Sequence, residues 1–222
     1  MFDSNISALT CSQVGGDLLT SETASWFFDP LPVDSYDLVV IDPPWPFATW
    51  SPAGQGKSPS KHYCTIPLAD IMALPVRAPL KDDAVVYLRA TGAMLEGAHE
   101  VMAAWGITYK TELVWRKVTA AGKVRWGCGY WARSMHEPVL LGTVGKPSKF
   151  ALPSCFDGLA REHSRKPDEF YHMITERTPG LRRADIFARQ KREGWDCWGG
   201  EVEKISSASG IMSASKQAGV RP

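Results

Sequence analysis

No run of apolar residues in this chain approaches the roughly 18 needed to cross a bilayer, so no membrane partner is expected. Cysteine is scarce and odd in number. Cys11, Cys64, Cys128, Cys155 and Cys197 are widely spaced with no C-x-x-C pair, which argues against a disulfide framework and a structural zinc site. The five histidines offer no metal-ligand spacing, so no metal is expected. Residues 1–56 contain no Lys or Arg; the first base is Lys57, which removes the positive n-region of a secretory signal. No internal repeat is visible, and no G-x-G-x-x-G loop follows an early strand. These absences leave a reduced, soluble, intracellular (cytoplasmic) protein as the expectation.

What is present is a chain of 222 residues, 44% apolar, the size of one domain with a real core. Its formal net charge of +1 is a sum of unequal parts. The first 56 residues hold seven acids, among them Asp29, Asp37 and Asp42, and no base. Between 110 and 149 stand eight bases against Glu112 and Glu137, and between 161 and 192 nine bases against five acids.

Residues 1–35 read as an irregular lead-in and 203–222, rich in Ser, Ala and Gly, as a flexible tail. Between them, Tyr36–Asp42 (YDLVVID) is a β-branched run that must stop at Pro43, a buried strand. Residues 46–62 are Pro-, Gly- and Ser-rich and form a long loop, a length usually functional or disordered. A short helix runs from Pro67 to Leu74, then a strand over Ala84–Ala90. Met94, Ala98, Val101, Met102 and Trp105 share one helical face ahead of Gly106. Ile107–Trp115 and Pro138–Thr143 read as strands, Pro167 opens another helix, and Arg183–Ala188 is the last strand. Strands alternating with helices predict an α/β sheet covered by helices, with ligands at the carboxyl ends of its strands. Asp42 and Asp185 fall at or near those ends.

Asp42-Pro43-Pro44-Trp45 carries the chemistry. An acid after a buried strand, then two prolines, makes a rigid turn whose backbone carbonyls face no competing local donors. A conjugated exocyclic amine, such as the 6-amino group of adenine, is a poor nucleophile because its lone pair is delocalised. A carboxylate and a carbonyl accepting its two N–H bonds favour the tetrahedral amine and stabilise the charge growing on nitrogen. A neighbouring aromatic can hold the base by its π-face. The reaction this suits is in-line methyl transfer from a sulfonium donor, with positioning supplying much of the rate. The bland alternative is a strand-terminating turn with a packing Trp.

Together, YDLVVIDPPW, KHYCTIPLADI, HEPVLLGTVG, SRKPDEFYHMI and ADIFAR…GWDCWGGE resemble the adenine-N(6) methyltransferases related to the seventy-kilodalton subunit of the messenger-RNA adenosine methyltransferase. The motifs keep that family's order from about Tyr36 to Val202. The resemblance implies a Rossmann-like methyltransferase domain over 36–202, with a central mostly parallel sheet, using S-adenosyl-L-methionine. It makes Asp42, Pro43, Pro44 and Trp45 the catalytic tetrad, with Asp42 also near the cofactor's amino group. Lys166 would pair with the cofactor's carboxylate. Asp185 and Arg189 would lie around the ribose and methionine end, and Gly199, Gly200 and Glu201 near the ribose or adenine. Tyr63 would sit in the loop closing over the target base, and Glu137 near the active-site mouth. Many relatives have Asn at the position of Gly200 and others Glu at that of Asp185. The adenine-contacting acid upstream of the first strand has no clear counterpart, Ala24–Asp29 fitting loosely.

Read alone, Asp185 is equally a solvated strand-end acid, and Lys166 a surface lysine at a helix start, where a cation opposes the macrodipole. Trp126, Tyr130 and Trp131, interleaved with bases from Lys117 to Arg133, match a nucleic-acid surface or a hairpin with aromatic packing. Arg133 and Arg165 join Tyr63 and Glu137 as expected substrate contacts, and loop 46–62 and residues 161–166 are the natural lids. The expected function is methylation of adenine N(6) in a polynucleotide, DNA favoured over RNA because small stand-alone members are prokaryotic or phage proteins. The alternatives are an RNA substrate, a non-catalytic nucleic-acid-binding subunit, or another conjugated amine such as cytosine N(4) or a glutamine amide. Dimers are common in the family, so the resemblance also implies a homo- or heterodimer.

Overall fold

The computed structural model describes residues 26–46, 65–129, 131–161, 165–200 and 202. Seven strands form one sheet in the order β5-β3-β4-β2-β1-β6-β7. They are β1 (Tyr36–Ile41), β2 (Leu80–Arg89), β3 (Thr108–Val118), β4 (His136–Val144), β5 (Cys155–Leu159), β6 (Arg183–Ile186) and β7 (Asp196–Trp198). β1 pairs in parallel with β2 and β6, β6 with β7, and β3 with β5, while β4 runs antiparallel to both β2 and β3. The expected mostly parallel sheet is therefore present, with one reversed strand inside it.

Alternation along the strands assigns each side chain to a face. Val39 and Ile41 of β1, Val86 and Leu88 of β2, and Ala184 and Ile186 of β6 point to the face covered by α1 (Leu68–Met72) and α2 (Leu95–Ala104). Ile71, Ala98, Val101 and Met102 meet them there. Leu38 and Val40, Val85 and Tyr87, Leu113 and Val139 point to the other face, under Phe170, Tyr171 and Ile174 of α3 (Asp168–Arg177). Burial of each Val, Leu, Ile, Met or Phe among them contributes about 1.5–3 kcal/mol before entropy is set against it. The predicted stop of α2 is observed: Trp105 caps it and Gly106 takes φ 69°, a conformation only glycine adopts without cost.

Two strands were not expected, β5 and β7. Both are short edge strands, and β5 buries only Gly158 while β7 buries none of its three residues. Their ladders rather than their side chains hold them. β2 also starts four residues ahead of the expected Ala84, where Leu80 is fully buried. Residues 27–34 form turns, from which Phe28 and Leu31 are buried in the core. Among the described residues, no helix is long and apolar enough to cross a membrane.

Candidate active site

The face covered by α3 carries charge at the carboxyl edge of the sheet. Continuing each apolar alternation by one step leads from Val40 to Asp42, from Tyr87 to Arg89, and from Trp115 to Lys117. On the reversed strand β4 the same step runs backwards, from Val139 to Glu137. β6 contributes Asp185, which pairs in register with Val40. Five charged side chains from five strands thus meet at one edge, beneath the loop that leads into α3.

That loop supplies Lys166, whose ammonium forms an ion pair with the Asp42 carboxylate. The two side chains are 12% and 16% exposed, so this pair lies at the rim of a cleft rather than in free solvent. A narrow cleft lies between Asp42, Arg165, Lys166, Asp185, Phe187 and Arg189. Asp185 is 2% exposed, which decides against a solvated strand-end acid. Arg192 reaches it at 2.9 Å, yet burial dominates and the nearby Asp42 charge adds to it, pushing the Asp185 carboxyl up to about 6. Phe187, the next residue after β6, has φ 64°, uncommon for a bulky side chain and the kind of strain that gathers at functional sites.

A polar chain ties the cleft floor to the residues before α3. Arg165 donates to Gln190 at 2.9 Å, Gln190 donates to Asp168 at 2.9 Å, and Asp168 also takes Arg161 at 2.6 Å. Arg192 lies between Asp168 and Asp185, with its guanidinium 3.6 Å above the Tyr171 ring. Arg161 also donates to the Lys166 carbonyl at 3.4 Å, which joins the lysine's backbone to this network.

The Asp42–Trp45 turn differs from expectation in two respects: Trp45 packs into the core, as the packing alternative had it, and does not lie open for a base to stack on, and the proline carbonyls already have donors. The Pro43 carbonyl accepts the Trp45 N–H at 2.9 Å, and the Pro44 carbonyl accepts the Ile66 N–H at 2.9 Å. Donors do compete, one local and one brought by the fold; each carbonyl keeps its second lone pair. Trp45 is 7% exposed, with its indole N–H donated to the Arg89 carbonyl at 2.9 Å. Glu137 lies near the same edge and pairs with Lys117 at 2.7 Å. Burial would raise its carboxyl, but the charges of Lys166, Lys117 and Arg89 outweigh that and hold it below the usual carboxylate range.

Gly199 and Gly200 follow β7. A Cβ on Gly199 would stand 2.4 Å from the Ala188 carbonyl oxygen, so the backbone approach there requires glycine. Gly199→Ala is expected to cost about 1–3 kcal/mol, read as a lowered midpoint in thermal unfolding. Trp198 packs edge-on to Phe28 and Phe187 and donates to the Asp29 carbonyl, which brings the segment before β1 beside this end of the cleft. Arg133 lies outside the cleft on the β3–β4 connection, stacked 5.5 Å from the Trp126 ring. Trp126 and Trp131 of that connection are 59% and 96% exposed. Tyr63, Tyr130, Glu201, residues 47–62 of the long loop and residues 162–164 lie outside the described residues.

Arg89, Tyr171, Asp168 and Arg192 were not singled out as site residues in the sequence, and Lys117, expected among the bases of a nucleic-acid surface, is instead turned to Glu137 at the cleft edge. Arg89 carried a signal: a lone cation ending an apolar strand, as Asp42 follows its own.

The MT-A70 family model matches residues 36–201, from the first residue of β1 to just past β7. The N(6)-adenosine-methyltransferase subunit METTL3 of Danio rerio is 27% identical over 186 residues, covering 81% of this chain and 30% of that protein. The N(6)-adenosine-methyltransferase MT-A70-like protein of Drosophila melanogaster is 28% identical over 186 residues, covering 81% and 29%. The type II methyltransferase M.MunI of Mycoplasma sp is 28% identical over 198 residues, covering 79% of this chain and 81% of that one. The chain thus spans less than a third of the length of the first two relatives. The family match takes in all seven strands and every charged group gathered at their edge: the chain belongs to the MT-A70 family.

Proposed function

We propose that this chain is an S-adenosyl-L-methionine-dependent methyltransferase acting on the N(6) amine of adenine in a polynucleotide, with DNA favoured. The observation that carries the reading is the meeting of Asp42, Lys166 and Asp185 around one cleft, below the Pro-Pro turn. The donor set fits the cofactor. Lys166 is a cation for its carboxylate, Asp42 an acceptor for its amino group, Asp185 with Arg189 line the ribose and methionine end, and Phe187 and Ala188 give apolar wall. When bound, the cofactor supplies an electrophilic methyl carbon on sulfur.

The chain's own residues do the rest. Asp42 and the free lone pair of a proline carbonyl accept the two N–H bonds of the target amine, which favours its tetrahedral form. Trp45, held by the Arg89 carbonyl, keeps the turn rigid against the base. Glu137 positions the base at the mouth, and the methylated amine loses its proton to water. An adenine within a duplex must be flipped out to reach Asp42.

Outside the cleft, the connection from Thr119 to Met135 carries Lys123, Arg125 and Arg133 and no acid. Its exposed Trp126 and Trp131 offer rings to unstacked bases while the cations face phosphates, which supports a nucleic-acid partner. The DNA preference rests on the resemblance to small prokaryotic and phage members. The dimer, homo- or heteromeric, remains part of the proposal. Incubation with DNA and with RNA separately, followed by mass spectrometry of the bases, tests the reading. N(6)-methyladenine in DNA is expected; methylcytosine alone, or no modified base in either, refutes it.

Asp185 gives a pH test with two opposite signs. Its folded value of about 6 stands above the unfolded one near 3.8, so its contribution to folding is full below about pH 4 and is lost as pH rises through about 6. Cofactor affinity runs the other way, because ribose hydroxyls donate to the ionised form. Calorimetric titration is expected to show about a tenfold loss per pH unit below about 6. Asp185→Asn is expected to flatten both curves.

A further inference from the structure

Arg89 is unusual among the buried groups. It is 1% exposed, and within the described residues none of its guanidinium nitrogens makes a hydrogen bond. Its guanidinium carbon lies 5.3 Å from the Trp115 ring centre and 5.4 Å from that of Phe170, so two aromatic rings flank the cation. Rings offset part of the cost of burying a charge but leave five N–H donors unused. A chain that needed only to fill this slot would do so more stably with an apolar side chain.

The nearest carboxylate is Glu137, whose Oε2 stands 3.6 Å from Arg89 Nη2. Its Oε1 takes Lys117 Nζ at 2.7 Å. Glu137 on β4 is thus bracketed by cations from both neighbouring strands, β2 on one side and β3 on the other. The third charge facing it is Lys166, from the loop ahead of α3. Lys166, however, pairs with Asp42 here and with the cofactor's carboxylate on the reading above. Once Lys166 is so engaged, Lys117 and Arg89 are left to hold Glu137.

We propose that Arg89 is a positioning residue, whose buried guanidinium holds Glu137 in place and ionised at the mouth of the cleft while Lys166 serves the cofactor. This rests on the methyltransferase reading. It differs from a packing role because its effect must pass through Glu137.

The test compares Arg89→Met, which fills the slot between the rings without charge, with Arg89→Lys, Glu137→Gln and the Arg89→Met/Glu137→Gln double variant. The first readout needs no activity: carbon NMR of glutamate-labelled protein, with Glu137→Gln assigning the resonance. Removing a cation beside a carboxylate raises its titration point, so Glu137 is expected to titrate about one unit higher in Arg89→Met and near its original point in Arg89→Lys. The second readout is kinetic. kcat/KM for the polynucleotide is expected to fall about tenfold or more in Arg89→Met, with its acid limb moved to higher pH and cofactor affinity within about twofold. In the Glu137→Gln background the same substitution is expected to add less than about twofold, because the pathway is already broken.

Independent, multiplying effects of the two substitutions, or an unmoved Glu137 titration in Arg89→Met, overturn the proposal. If Arg89→Met does not fold, Arg89→Lys decides, since a displaced Glu137 titration in a folded variant that keeps the charge also overturns it. An unmodified protein that methylates no base refutes the methyltransferase reading instead, and the NMR titration still decides whether Arg89 holds Glu137.

Discussion

Replacing Asp42 by alanine is expected to lower methyl transfer by about 10³-fold or more, while cofactor affinity falls only modestly. Removing a group aimed at charge that develops during reaction typically costs about 10²–10³ in rate, and alanine also removes the acceptor that fixes the amine. Asparagine keeps an acceptor without the charge and is expected to retain more. Cofactor affinity is spared because two effects oppose. Asp42 is lost as a partner for the cofactor's amino group, but Lys166 is released from its ion pair with Asp42 and is free to take the carboxylate. The fold is expected to survive, since the Asp42 backbone N–H that donates to the Ile186 carbonyl is unchanged. A radiolabelled-methyl assay beside calorimetric titration of the cofactor checks both halves; turnover retained in Asp42→Ala refutes the mechanism.

The second large effect is one of salt. Polynucleotide affinity is expected to fall about 50-fold between roughly 50 and 200 mM salt, while cofactor affinity changes little. Each phosphate neutralised contributes about −0.9 to the slope of log K against log salt on duplex DNA, and about three such contacts give this loss. Lys123, Arg125 and Arg133 on the β3–β4 connection are the cations for that task, since among the described residues none of them joins a salt bridge or lines the cleft. Arg116 is a poorer candidate, because Asp157 already takes it at 2.5 and 2.6 Å. On the proposed reading the cofactor's charges would meet partners in a half-buried cleft, where screening acts less. Fluorescence titrations of labelled DNA across a salt series read the slope. Equal insensitivity of both ligands would rule out the polynucleotide before the cofactor.

The parts of the site that could be read in the chain are those where one local segment suffices. YDLVVID announces a buried strand with β-branched residues and then ends it with two prolines, so Asp42 had to stand at a strand terminus. Lys166 conflicts mildly with the α3 dipole, a hint that the fold uses it for something other than helix stability. The turn's chemistry was read less fully, because the donor to the Pro44 carbonyl comes from Ile66, beyond a long loop. β5 and β7 escaped for a related reason: short edge strands are held by ladder partners distant in the chain, so their own side chains carry little signal.

By itself the sequence determined which residue types were available, where the strands nearest the chemistry had to stop, and which faces were apolar. The tertiary structure alone decided which charges meet. Arg89, Lys117, Glu137, Asp185 and Lys166 are scattered over almost a hundred residues. Alternation fixes the face each one takes, but only strand order sets the neighbour. Placing β4 in reverse between β2 and β3 puts Glu137 at the carboxyl edge of its neighbours, where it lies between two cations. Burial then sets their electrostatics. The ladder position that pairs Asp185 with Val40 also removes it from water, and that desolvation makes a strand-end acid titrate near 6.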